Sequence, residues 1–177
     1  VCEIGAGGGH NLLYFFYYGK KVIGYEPSPI LCRMGKEYNI DLIRGFVDDV
    51  EGKYDLVILK HVLEHLHNPI TILSKLQTNI NKYLFIEVPG TFRSSSVQNF
   101  HTYYFSFNTL ESILAKGGFK KISLEYCKQN DFIFGLFEKS INKLYSQYSY
   151  KEEIKKVNYK YKKQVYRLML SKLLKFL

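Results

Sequence analysis

The chain has 177 residues, enough for one domain with its own hydrophobic core. Its formal net charge is +9, but residues 1–137 hold 14 basic and 13 acidic side chains, whereas residues 138–177 hold 11 and 3. Basicity therefore belongs to the tail. No apolar run reaches the roughly 18 residues of a spanning helix. The three cysteines are scattered without a C-x-x-C pair, which favours reduced thiols and a cytoplasmic location over a disulfide framework.

The first nine residues, V-C-E-I-G-A-G-G-G, predict a short apolar strand that runs into a turn almost without side chains. Glycine is needed where the backbone has positive φ or where a ligand approaches closely. Residues 10–18 continue as a predicted helix that ends at Gly19, so the turn faces the positive end of the helix dipole. This arrangement predicts a cofactor site at the turn. Because the chain begins with Val1 inside a strand, we expect that an N-terminal segment is missing.

The glycine spacing separates two classes of cofactor. The dinucleotide fingerprint G-x-G-x-x-G, counted from Gly5, needs glycine where His10 stands. The string E-x-G-x-G-x-G resembles motif I of the class I S-adenosylmethionine-dependent methyltransferases. The resemblance implies that the acid helps to hold the methionine amino group while the backbone passes close to the cofactor. The residues assigned to it are Glu3, Gly5, Ala6, Gly7 and Gly9. A nucleotide-cofactor oxidoreductase and a catalytically inactive binding module with this fold stay open as alternatives.

A second strand is predicted over residues 21–26, closed by the sequence P-S-P. Glu26, at its end, lies 17 residues beyond Gly9. A strand-end carboxylate at that distance can accept both hydroxyls of a ribose. In the resembled family this acid is the ribose ligand, and we assign Pro27 to the same site. The alternative is an exposed acid without a ligand.

A helix over residues 30–38 and a third strand over residues 42–44 follow, and then a loop over residues 45–50. Members of the resembled family often place an acidic residue in this loop against the adenine amino group. Asp48 and Asp49 are therefore assigned to the cofactor, although paired loop acids are also commonly just solvated.

The fourth predicted strand is apolar without interruption from Leu56 to Leu59, as expected for a strand covered on both faces. The string Y-D-L-V-I-L-K-H-V-L-E-H-L-H-N-P resembles the family's fourth strand and following loop. The resemblance implies that Lys60 and His61 line the cofactor pocket. His61 and His65 lie four residues apart, but the zincin motif H-E-x-x-H needs glutamate where this chain has valine. We therefore predict no metal site.

Asn68 and the proline after it predict the start of a helix whose apolar face extends to Ile80. Residues 83–90 are the fifth predicted strand. Its ending, I-E-V-P-G, resembles the methyltransferase-23 subgroup, which includes sugar C-methyltransferases. The polar loop at residues 91–99 stands where such sheets carry lids, and we expect a lid there.

The segment H-x-x-Y-F-S, followed by T-L and G-G-F, resembles the part of this subgroup in which a histidine is assigned as general base. The matching residue is His101. Histidine is the usual proton acceptor at neutral pH because its ordinary pKa is about 6.5. The sugar enzymes tend to carry an acid just before this histidine, where this chain has Phe100. The alternative role for His101 is to hold the lid by a hydrogen bond.

The predicted order β-α-β-α-β-β-α-β-α-β-β indicates an α/β fold. We expect a Rossmann-like, doubly wound and mostly parallel seven-stranded sheet over residues 1–137. Ligands of such sheets bind outside the carboxyl ends of the strands, where the assigned residues would converge. The resemblance implies methyl transfer from S-adenosyl-L-methionine to a small-molecule or sugar/glycan-precursor acceptor, and it does not name the acceptor.

Residues 138–177 form a predicted basic, amphipathic and helical tail, because lysines alternate with apolar residues at near-helical spacing. Such a helix can lie on an anionic membrane surface, which predicts peripheral membrane contact. It can equally pack on the domain or on a second copy, so the oligomeric state is left open. Nucleic acid is the least favoured partner, since no aromatic and basic platform is visible.

Overall fold

The computed structural model describes residues 1–90 and 101–140, together with Lys151 and Lys155. The predicted lid at residues 91–99 and nearly all of the basic tail lie outside the described residues, so the lid and the membrane contact stay predictions. Within the described part of the chain, no helix is both long and apolar enough to pass through a bilayer.

Seven strands form one sheet. The strands are β1 (Cys2–Ile4), β2 (Ile23–Glu26), β3 (Leu42–Arg44), β4 (Tyr54–Lys60), β5 (Ile80–Pro89), β6 (Phe119–Cys127) and β7 (Phe132–Lys139). The helices are α1 (His10–Tyr17), α2 (Pro29–Glu37), α3 (Pro69–Leu76) and α4 (Phe107–Lys116). The spatial order is β3-β2-β1-β4-β5-β7-β6, and β7 runs antiparallel to both of its neighbours while the other pairs are parallel. The predicted Rossmann-like, mostly parallel sheet is confirmed.

The strand order reverses between β1 and β4, which is the switch point where ligands of such sheets bind. The chain goes from β1 to β2 and β3 on one side, and it returns to β4 on the other. The carboxyl ends of β1, β2 and β4 therefore meet at one edge, together with the glycine turn after β1.

The helix after β4 begins where the sequence predicts, because Asn68 caps it, but it ends earlier than predicted. The side chain of Asn68 accepts a hydrogen bond from the N–H of Thr71 at 3.3 Å, as an N-cap residue does. The helix ends at Leu76, so Ile80 is not part of its apolar face. Ile80 is instead the fully buried first residue of β5, and its backbone pairs with Tyr54.

The two faces of the sheet have separate cores. Alternation in β4 sends Val57 and Leu59 into the larger core, which includes apolar side chains of α3 and α4. A smaller core of Ala6, Leu12 and Ile40 lies around α1 and the start of β3. Lys60 therefore belongs to a different face of the sheet from Leu59.

Candidate functional site

The turn after β1 is a bare backbone cradle. The N–H groups of Gly5 and Ala6 donate to the carbonyl oxygen of Tyr25 at 2.8 and 3.1 Å, which fixes the turn against β2. Gly7 has φ +56°, and among the described residues, apart from Gly7 itself and its two chain neighbours, no heavy atom lies within 4 Å of the place where a Cβ would stand. Gly9 is the N-cap of α1. The space beside the Cα of Gly7 is thus left open by the side chains in the described part of the chain.

Glu26 points at this turn. One carboxylate oxygen accepts the N–H of Gly7 at 2.8 Å, and the other accepts the N–H of Ser28 at 2.9 Å. The residue is 7% exposed, so its orientation is held by packing as well as by hydrogen bonds. Because each carboxylate oxygen has a further lone pair, Glu26 can still accept two hydroxyl groups.

A cavity of about 440 Å³ opens beside these groups, between the ends of β1 and β2 and the loop after β4. This volume is within the usual range for a cofactor pocket. The lining residues are Ile4, Gly5, Glu26, Pro27, Gly45, Phe46, Val47, His61, Val62, His65 and Leu66. Four of the residues assigned from the sequence therefore lie on its wall: Gly5, Glu26, Pro27 and His61.

Three other assigned residues lie elsewhere. Asp48 is exposed and forms an ion pair with Lys75 at 2.8 Å. The side chain of Asp49 accepts the N–H of Phe46 at 2.8 Å, so it closes a short 3₁₀ turn and leaves the cavity wall to Phe46 and Val47. Lys60 lines a second cavity of about 260 Å³ on the other face of the sheet.

Glu3 is a buried carboxylate with an open acceptor. One oxygen accepts the side-chain N–H of Asn11 at 2.7 Å, and the other has no hydrogen-bond partner in the described part of the chain. Burial raises the pKa of Glu3 to about 7. Such a group is suited to a cationic amino group, which would stabilise its charged form. Asn11 was missed by sequence reasoning, because only the fold brings it to Glu3.

His61 stands between two carboxylates on the cavity wall. Its Nδ1 lies 3.5 Å from Glu64 Oε1, and its Nε2 lies 3.1 Å from Glu87 Oε1. Glu64, and after it Glu87, raises the pKa of His61 to about 9, so the imidazole is protonated at neutral pH. His61 also has φ +54°, an unfavourable backbone conformation for a residue with a Cβ.

His101 lies next to this wall. The backbone carbonyl of Glu64 accepts the N–H groups of Thr102 and Tyr103 at 2.8 and 3.1 Å. The rings of His65 and His101 are 5.0 Å apart between centroids. Among the described residues, one group could hold a metal ion: donor atoms of Glu64, His65 and His101 lie within 4.8 Å of one another.

Comparison with known proteins identifies the family. A family model described as a methyltransferase domain matches residues 1–124, which is more than half of the chain. The chain belongs to the class I S-adenosylmethionine-dependent methyltransferases. It is therefore an enzyme whose cofactor is S-adenosylmethionine, and the sulfonium of that cofactor supplies the methyl group. A comparison with curated proteins finds no significant match.

Solved methyltransferases share the fold at low identity. Magnesium protoporphyrin IX methyltransferase from Synechocystis PCC 6803, with bound S-adenosylhomocysteine, has a TM-score of 0.68 and 17% identity; the match covers 78% of this chain and 73% of that chain. The 1,6-didemethyltoxoflavin N1-methyltransferase of Burkholderia thailandensis has a TM-score of 0.65 and 15% identity, and the match covers 78% of this chain and 70% of that chain. An S-adenosylmethionine-dependent methyltransferase from Mesorhizobium loti has a TM-score of 0.67 and 11% identity, and the match covers 78% of this chain and 89% of that chain.

The residues of this chain fit the cofactor that the family uses. Glu26 offers acceptors for the ribose hydroxyls, the turn at Gly7 is open to a ligand, and Glu3 has an unsatisfied oxygen for the amino group. The cavity provides room for the nucleoside between Pro27 and Phe46. The cradle, the acid and the cavity thus come together at the switch point of the sheet.

Proposed function

We propose that this methyltransferase transfers the methyl group of S-adenosylmethionine to a small-molecule acceptor, with His101 as general base. The supporting observation is the position of His101. Its loop is fastened to Glu64, and its ring lies beside His65, which lines the cavity. A base at this position can take the acceptor's proton close to the bound cofactor.

Alignment of the reactants should contribute more to catalysis than proton removal. Well-oriented reactants can lower a barrier by about 7–11 kcal/mol, whereas a general base typically gives about 10²–10⁴-fold in rate. The residues that hold the cofactor, foremost Glu26 and the backbone at Gly7, therefore have the larger task. His101 is needed for acceptors that react only after they lose a proton.

Small molecules are the favoured acceptors because two structural neighbours are named for such substrates, a magnesium porphyrin and a toxoflavin precursor. A sugar or glycan precursor remains a narrower proposal. The sequence offers Phe100 where the sugar enzymes tend to carry an acid. This difference weakens the case for a sugar relative to a phenol or a heterocyclic nitrogen.

The test combines binding and turnover. Calorimetry should show S-adenosylmethionine and S-adenosylhomocysteine binding, and no heat with NAD. Formation of S-adenosylhomocysteine is then measured with 4-nitrophenol, tryptamine, UDP-glucose and dTDP-glucose as acceptors. His101→Ala should keep the cofactor affinity within about twofold and slow turnover by about 10²–10⁴-fold. His67→Ala, a change at an exposed histidine, is the control. Wild-type turnover in His101→Ala would contradict the role of His101, and NAD binding would favour the oxidoreductase.

A further inference from the structure

Three histidines surround a single buried carboxylate. Glu64 is 1% exposed and lies in the short turn that follows β4. Its Oε1 is 3.5 Å from Nδ1 of His61 and 3.9 Å from Nε2 of His65. Donor atoms of Glu64, His65 and His101 lie within 4.8 Å of one another. Two of these histidines line the cofactor cavity, and the third is the proposed base.

The backbone of Glu64 also holds the loop that carries His101. Its carbonyl oxygen accepts two N–H groups, from Thr102 and Tyr103. The hydroxyl of Tyr103 donates to the carbonyl oxygen of His67 at 2.8 Å, a second link between the same two loops. The loop after β4 and the segment that starts at His101 are thus fastened together at the edge of the cavity.

A carboxylate this deeply buried is costly unless positive charge lies near it. His61 lies 3.5 Å from this carboxylate, and Glu64, together with Glu87, raises the pKa of its imidazole to about 9. Proton transfer from an acceptor to His101 would create a second positive charge a few ångströms away. Glu64 is placed to stabilise that charge, in the way that a buried acid orients and stabilises a catalytic histidine in other enzymes.

Glu87 provides a natural comparison. It also contacts His61, at 3.1 Å, but it forms a further ion pair with Lys60 at 3.4 Å, and both residues line the second cavity. Its side chain is 15% exposed, whereas that of Glu64 is 1% exposed. The two carboxylates therefore share His61, and Glu64 is the one whose carboxylate also lies against His65 and His101.

We propose that Glu64 is a positioning residue for methyl transfer, which orients the pair His65 and His101 and provides the negative charge that faces His101 when it takes the acceptor's proton. The inference rests on the role proposed for His101. In this step the acceptor's lone pair forms the bond to the methyl carbon, the carbon–sulfur bond breaks with its electrons on sulfur, and the acceptor's proton moves to the imidazole.

The first test needs no acceptor. Histidine ring resonances are recorded by NMR for the full chain and for Glu64→Gln and Glu87→Gln, a matched pair of changes that each remove one carboxylate beside His61. Both variants should move the His61 resonances. Only Glu64→Gln should also move those of His65 and His101. Equal perturbation by the two variants, or none at His101, would overturn the proposal whatever the acceptor is.

The second test is a double-mutant cycle on turnover with the best of the four acceptors named above. Glu64→Gln should lower kcat by about 10–100-fold, with a change in cofactor affinity no larger than that of Glu87→Gln. In a His101→Ala background, Glu64→Gln should cause no further loss, because the charge that it faces no longer forms. An equal loss in both backgrounds would show a merely structural role and overturn the inference.

Two controls complete the design. Glu64→Asp keeps the charge on a shorter side chain, so it should retain more turnover than Glu64→Gln if the latter folds poorly by circular dichroism. Every assay is repeated with EDTA and with added Zn²⁺. A requirement for the ion would make Glu64 a metal ligand and would overturn the positioning role. If His101→Ala does not slow turnover, His101 is not the base and the proposed function fails. The NMR comparison still tests separately whether the Glu64 carboxylate interacts with His65 and His101.

Discussion

The two halves of the cleft consist of different kinds of chemical group. The glycine half, from Gly5 to Gly9 and at Glu26, is made mainly of backbone groups whose conformation is fixed by the turn. The histidine half, from His61 to His65 and at His101, is made of titratable side chains that lie close to one another. A change in the first half should therefore act mainly on cofactor affinity, whereas a change in the second half should give effects that depend on pH.

The largest effect is expected at the glycine turn. Gly7→Arg places a long side chain where the backbone is open to the cofactor and forces it into φ +56°. We expect a loss of at least about 100-fold in affinity for S-adenosylmethionine, measured by calorimetry, equivalent to about 2.7 kcal/mol or more.

Gly19→Arg is the matched control for this change. Gly19 has φ +70° and, as at Gly7, the described residues other than its two chain neighbours place no heavy atom within 4 Å of its absent Cβ, but Gly19 lies at the far end of α1. Gly19→Arg should lower the folding stability about as much as Gly7→Arg does, and it should leave the affinity for S-adenosylmethionine within about twofold of the wild type. Equal losses of affinity in the two variants would show that the cofactor does not approach Gly7.

The next effect is expected at the strand-end acid. Glu26→Gln keeps one acceptor oxygen but places an NH₂ group where the carboxylate met an N–H donor at 2.8 or 2.9 Å. We expect cofactor affinity to fall by about 10–100-fold, because hydrogen bonds to a charged group are worth about 1.5–3 kcal/mol. Glu37→Gln, an exposed change on α2, is the calorimetric control and should bind as the wild type does. An unchanged affinity in Glu26→Gln would remove the ribose assignment.

The buried acid of β1 should make stability depend on pH. The folded pKa of Glu3 is about 7, above its ordinary value of 4.5. The contribution of Glu3 to the free energy of unfolding is therefore fully present below about pH 4.5 and is lost as pH rises through 7. Glu3→Gln should therefore be more stable than the wild type at pH 8, by up to about 3 kcal/mol, with no such gain at pH 4.5. Urea denaturation at the two pH values measures this. A difference that does not vary with pH would contradict it.

The smallest effect is expected at the cavity-wall histidine. Its folded pKa is raised to about 9 from an ordinary 6.5, so the stability that it contributes is present below pH 6.5 and is lost as pH rises through 9. His61→Gln should flatten the fall in melting temperature between pH 6.5 and 9.5, as followed by circular dichroism. The side chain is 33% exposed, so we expect a shift of a few degrees at most. If the melting temperature of His61→Gln falls with pH as steeply as that of the wild type, His61 does not carry the assigned positive charge.

The same contrast explains what could be predicted from the sequence. The order of strands and helices, the glycine turn and the strand-end position of Glu26 depend on residues close in sequence, and they could be predicted. The contact between Asn11 and Glu3 requires α1 to fold over β1, and the approach of His101 to Glu64 joins two distant loops. No local pattern records such contacts.

One placement was wrong for a local physical reason. Ile80 fits the helical period of the segment before it, yet its backbone pairs with Tyr54 and it begins a strand. A tertiary partner thus prevailed over a sequence pattern. The assignment of Asp48 to the cofactor stays a prediction, and the surface ion pair with Lys75 is the contact that competes with it.

A crystal structure of the full chain with S-adenosylhomocysteine would show whether Glu26 and the glycine turn hold the cofactor. We expect the ribose hydroxyls within hydrogen-bonding distance of the Glu26 carboxylate, the aminoacyl end along the backbone at Gly7, and the nucleoside in the cavity between Pro27 and Phe46. A ligand bound elsewhere, or a Glu26 side chain turned away from the ribose, would contradict it.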